Sequence, residues 1–131
     1  MTITDHRKLQ VWQKAMQLTE DIYSIVKQLP STETYALSSQ MRRAAISIPS
    51  NIAEGNARGT DNEKIRFLSI AQGSRAELET QVELSYRIGY ISQEQMWQLT
   101  ESISEVGKML NGLISSIIYM RDNDKKASSN A

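Results

Sequence analysis

The chain has 131 residues, of which 40 % are hydrophobic and 23 % charged, with fifteen basic and fifteen acidic residues and no cysteine. That length fits one domain with a real core. The missing thiols exclude a disulfide framework, a zinc–thiolate site and a cysteine nucleophile, and the cancelling charges exclude the global positive field of a non-specific nucleic-acid binder.

The first helix starts between Asp5 and Val11 and ends at Pro30. It carries Trp12, Met16, Thr19, Tyr23 and Val26 in one row and Ala15, Ile22 and Leu29 in the next. The second begins after Ser31 to Thr34, carries Leu37, Met41, Ala44, Ala45, Ile48 and Ile52, and exits through Asn56 to Thr60. Pro49 lies inside it and deprives the Ala45 carbonyl of its donor, so a kink is expected rather than a break, because the apolar period continues.

Thr60 with Glu63 forms a capping-box pair that opens the third helix, whose apolar side is Phe67, Leu68, Ala71, Leu78, Val82, Ser85 and Ile88. Gly73 in its middle costs about 1 kcal/mol against Ala, which the close approach of another helix would offset. The link Gly89-Tyr90-Ile91 is so short that the third and fourth helices are antiparallel neighbours. Ser92 with Gln95 caps the fourth helix, and Ile91 staples onto Met96. Met96, Leu99, Ile103, Val106, Leu110, Leu113, Ile117 and Met120 then form an unbroken heptad seam, the pattern of left-handed bundles. The resulting fold is all-α, an up-down-up-down antiparallel four-helix bundle over residues 1–120, followed by a polar tail, 121–131, expected to be disordered.

The last turns of the fourth helix are apolar around most of the circumference, and Met109, Ile114 and Ile118 form a second flank beside the seam. A bundle helix buries one stripe, so this flank is expected to be an oligomer surface. Chemistry has little support. The lone His6 falls in a frayed N-terminal segment, and the Glu-x-x-His pairs of bundle metal sites are missing, so no enzyme activity, cofactor or metal is expected. Without a signal peptide or a run of about 18 apolar residues, no membrane role is expected and the cytoplasm is the default compartment.

One polar row stands out on the second helix, Arg43, Ser47, Asn51, Glu54 and Arg58, with Arg42, Lys64, Arg66 and Arg75 as reinforcing cations. It reads as a strip contacting RNA or DNA phosphates, as an ordinary solvated face or as a polar seam between subunits. Glu54 at its centre opposes the first of these.

Three strings carry a family resemblance over residues 8 to 118: residues 8–15 (KLQVWQKA), 40–55 (QMRRAAISIPSNIAEG), and 67–74 (FLSIAQGS) with Glu77-Leu78-Glu79. They resemble the four-helix-bundle proteins encoded within intervening sequences of bacterial 23S ribosomal RNA genes, also labelled S23 ribosomal proteins. The resemblance implies a homopentamer without established enzyme activity. The family is also similar to the accessory protein of diversity-generating retroelements, which implies an alternative role in binding structured RNA or a reverse transcriptase complex. Unlike that basic protein, this chain is neutral.

Overall fold

The computed structural model describes the backbone of residues 5–130 and the side chains of residues 5–127; residues 1–4 and 131, at the ends of the expected bundle and tail, lie outside it. Among the described residues the long elements are α1 (Gln10–Ile25), α2 (Leu37–Asn56), α3 (Asp61–Ile88) and α4 (Gln93–Asn130). Short 3-10 turns at His6–Lys8, Val26–Gln28 and Ser31–Glu33 precede α1 and link it to α2. Each helix packs on its neighbours in sequence and α4 closes against α1, whereas the diagonal pairs do not meet. None of the helices is long and apolar enough to cross a membrane.

Local signals fix the helix ends. The Thr60 hydroxyl accepts from the Glu63 amide at 3.2 Å. At Ser92 the capping box is reciprocal: the Gln95 amide donates to the hydroxyl at 3.1 Å and the Ser92 amide to the Gln95 side chain at 2.9 Å. Gly89 takes a left-handed conformation (φ 97°), which lets the Tyr90 amide reach back to the Ser85 carbonyl at 2.9 Å and end α3. Asn111-Gly112, a pair that makes hairpin turns elsewhere, lies inside α4 because the heptad runs through it.

The core is aliphatic, and Leu18, Ile22, Met41, Ile48, Ile52, Leu78, Val82, Ile103, Val106 and Leu110 are fully buried. Several expected members are displaced from it. In α1 the buried stripe is Val11, Ala15, Leu18, Ile22 and Ile25, while Met16 and Tyr23 of the expected row are exposed and Trp12 is half-buried. Ile88 and Met120 are exposed as well. The helix end expected at Met120 is corrected: α4 continues to Asn130. Past Gly112 there is no glycine or proline to stop it, and Asp122 precedes Lys126 by four residues, a favourable helical pair. At 38 residues α4 is about 57 Å long and outreaches the 28-residue α3. His6 is not in a frayed segment but in a turn capped by Asp5, with its ring edge-on to Trp12 at 5.1 Å.

α2 runs unbroken through Pro49. The carbonyl that Pro49 leaves without a backbone donor belongs to Ala45, and α1 supplies the replacement: the Thr19 hydroxyl donates to Ala45 O at 3.1 Å while also lying 2.8 Å from its own Ala15 carbonyl. One proton between two acceptors thus ties α1 to α2 where a buried acceptor would otherwise be orphaned. Thr19→Val is therefore expected to lower stability by about 1–2 kcal/mol at fixed protein concentration, and Thr19→Ser to keep most of it, as measured by urea denaturation.

Candidate functional site

The polar row of α2 lies not opposite the core but along the seam with α3. Ser47 and Asn51 are half-buried there. The Ser74 hydroxyl of α3 donates to Ser47 Oγ at 2.8 Å, and Asn51 Nδ2 donates to the same oxygen at 2.9 Å and to the Ser47 carbonyl at 2.7 Å. Arg58 pairs with Glu54 at 2.6 Å, and its guanidinium stands 4.6 Å from the centre of the Phe67 ring. Its Nε is buried without a hydrogen-bond partner. Glu54 therefore serves as the partner of Arg58 four residues on, and both belong to helix packing.

Arg75 is also taken up. It pairs with Glu79 at 3.1 Å and donates from Nε to Gln72 Oε1 at 2.6 Å. Gln72 in turn donates to the Gly107 carbonyl at 2.8 Å and to Asn111 Oδ1 at 2.7 Å, so this cluster bridges α3 and α4. The Arg75 side chain lies over Gly107: a β-carbon built there would stand 2.7 Å from its Nε. Gly107, which sequence reasoning passed over, is small because an arginine occupies its Cβ position. An interior glycine within a heptad seam was the available signal. By contrast, nothing lies within 4 Å of a β-carbon built at Gly73, so within one chain no approaching helix explains that residue.

Four cations of the expected strip, Arg42, Arg43, Lys64 and Arg66, remain outside these contacts. Arg43 and Arg66 are exposed and Arg42 is half-buried. Arg42 donates to the Thr34 carbonyl at 3.5 Å and Arg43 to Gln40 at 3.1 Å, while Arg66 stands 6.0 Å from the Phe67 ring centre. Arg43 adjoins Ser74 and Glu77, whereas Arg66 lies beside Phe67 at the opposite end of the α2–α3 seam. The strip is not gathered into one patch. Lys64 lies near Gly55 and Asp61, at a small cavity of about 260 Å³ between the end of α2 and α4.

The expected second flank of α4 is largely absorbed within the chain. Met109 and Ile114 pack against the core, and Ile118 is half-buried. A wide apolar opening lies instead between α1 and α2, a groove of about 770 Å³. Trp12, Met16, Thr19 and Tyr23 form one wall and Ile46, Pro49 and Ala53 the other, with Glu20 and Lys27 at its edge. Met16 (37 %), Tyr23 (42 %) and Ile46 (42 %) retain much of their exposure. Behind α1, Lys14 meets Glu105 of α4 at 2.7 Å. That hydrogen bond raises the lysine above its ordinary pKa and lowers the carboxyl below its own.

None of these surfaces brings together an oriented nucleophile and base, and among the described residues no group of three His, Asp or Glu side chains is placed to hold a metal.

The model of the 23S rRNA-intervening sequence protein family matches residues 7–112. The chain belongs to this family. The match takes in the α2 string, whose Ser47 and Gly55 meet α3 along the seam described above. The chain is also similar to a crystal structure from Bacteroides thetaiotaomicron, a protein of unknown function from the S23 ribosomal protein family, at 27 % identity and a TM-score of 0.72. The likeness covers 79 % of this chain and 97 % of that one. No curated protein matches the chain. As a family member it shares a fold whose function is not known, and nothing in its site points to catalysis.

The Arg75–Gly107 contact is open to a double-mutant cycle. Gly107→Ala is expected to cost up to about 1 kcal/mol, because the new methyl displaces the end of Arg75 from its bonds to Gln72 and Glu79. In an Arg75→Ala background the same change is expected to stabilise by up to about 1 kcal/mol through helix propensity. Urea midpoints of the four proteins at one concentration give the coupling.

Proposed function

We propose that the chain is a non-enzymatic, homo-oligomeric scaffold, a homopentamer by its resemblance to the family, and that its work lies in the surfaces it presents. One observation carries this reading: the α1/α2 groove keeps Met16, Tyr23 and Ile46 in contact with water although the core beneath it is closed. Contiguous apolar surface of this kind on a small helical domain is characteristic of a contact site. The interior glycine with open space at Gly73 supports the same reading, since a helix from another copy would make use of it. The flank expected from the sequence, Met109, Ile114 and Ile118, contributes at most the remaining exposure of half-buried side chains. Light scattering at tens of micromolar tests the proposal. The expected result is a mass about five times that of the 14.8 kDa chain, and a monomer would refute it.

A second reading, an accessory protein for structured RNA or a reverse transcriptase complex, is favoured by Arg43 and Arg66, which are exposed and make no ion pair among the described residues. With Arg58 and Arg75 engaged in packing, few cations are left for phosphates on each copy. Binding to a structured RNA is then expected to be weak and steeply salt-dependent. Titration across a salt series decides it: no salt-sensitive binding near 50 mM ends this reading.

A further inference from the structure

The bundle carries apolar surface on two opposite sides. On one is the α1/α2 groove, walled by Met16, Tyr23, Ile46 and Pro49. On the other is Trp97, 60 % exposed. Trp97 stands two heptads before Asn111, on the strip of α4 that meets Gln72 of α3. It therefore belongs to the α3/α4 side, with the α1/α2 pair across the bundle. Tryptophan supplies more contact energy at protein interfaces than almost any other residue, and left in water it exposes a large apolar ring.

The charges around the two features are complementary. Glu94 and Glu101, three residues before and four after Trp97, are exposed on α4, and Glu101 also lends its charge to Lys14 of α1. The groove has Lys27 at its edge. Arg42, four residues before Ile46 on the groove side of α2, adds a second cation at that end. Glu20, also on the groove edge, lies seven residues, or about 10 Å, before Lys27. An acid-flanked indole is thus received at the Lys27/Arg42 end, beside Tyr23 and Ile46, and repelled at the Glu20 end.

We infer that the α1/α2 groove is the seat of a second copy of this chain, which inserts Trp97 between Tyr23 and Ile46 and sets Glu94 and Glu101 against Lys27 and Arg42. The inference rests on the oligomeric reading above and names the faces it uses. The contact is heterologous: each copy gives its Trp97 to one neighbour and its groove to the other, so the assembly closes into a ring where the rotation between copies permits.

The test uses the full chain. Because the ring would bury Trp97 in a groove that Trp12 helps to line, the tryptophan emission of the unaltered chain is expected to shift to the blue as protein concentration rises through assembly. Trp97→Ala and Ile46→Glu, both changes at exposed positions, are each expected to move the concentration for half-assembly up at least ten-fold while leaving helical circular dichroism unchanged. Mixed together, the two variants are expected to form a one-to-one heterodimer that goes no further, because only one intact groove and one intact Trp97 remain to meet. A monomeric parent chain would overturn this inference together with the oligomeric reading. An oligomeric parent whose Trp97→Ala variant assembles over the same concentration range, with the parent's tryptophan emission unshifted, would overturn the assignment of faces alone.

Discussion

A helix in a four-helix square can bury only the stripe that faces inward, and everything else about this molecule follows from what its helices do with the surface left over. α2 goes furthest beyond the single stripe. Its inward residues Met41, Ile48 and Ile52 are fully buried. On one flank Ser47, held by Asn51 of its own helix, accepts from Ser74 of α3, and on the other the Ala45 carbonyl, orphaned by Pro49, is met by Thr19 of α1. α2 is thus held on three sides, and only Gln40, Arg43, Ile46, Ser50 and Glu54 along its outer edge remain exposed.

The two seams of α2 differ in the side chains that line them. Against α3, Gly55 allows close approach: a β-carbon there would stand 3.1 Å from Cβ of Phe67 and 3.3 Å from the Lys64 carbonyl. Serines and an asparagine close the rest of that line with short hydrogen bonds. Against α1 the outer side chains are large, Trp12, Met16 and Tyr23 opposite Ile46 and Pro49. A single hydroxyl bridges the backbones beneath them. Small polar residues line one seam and bulky apolar residues the outer edge of the other, where the apolar groove lies.

Much of the polar patterning that resembles a nucleic-acid strip is internal carpentry of helices. Arg58 lies over Phe67 and pairs with Glu54, and Arg75 lies over Gly107 and pairs with Glu79. In both cases an arginine packs its stem and plane on a neighbour while a carboxylate four residues away in the chain neutralises it. Spacing alone reads such residues as a charged face, because the carboxylate partner and the packing surface are both compatible with an exposed helix. Their role depends on a residue in another helix, Phe67 for one and Gly107 for the other.

The sequence by itself determined the number and order of the helices, the caps at Thr60 and Ser92, the stop at Gly89 and the inward seam from Met96 to Leu110, because each depends on residues within one or two turns of one another. It left undecided which of two adjacent apolar rows on α1 faces the core. Trp12, Met16, Thr19 and Tyr23 repeat at helical spacing as well as Ala15 and Ile22 do, and periodicity cannot separate a core row from a flank a quarter-turn away when both are apolar. The tertiary structure decided that, along with the fate of Ile114 and the reason for Gly107, since these depend on how far apart two helices sit and what the facing helix places in the gap. Helix spacing is a sum over side chains distant in the chain, and no local pattern encodes it.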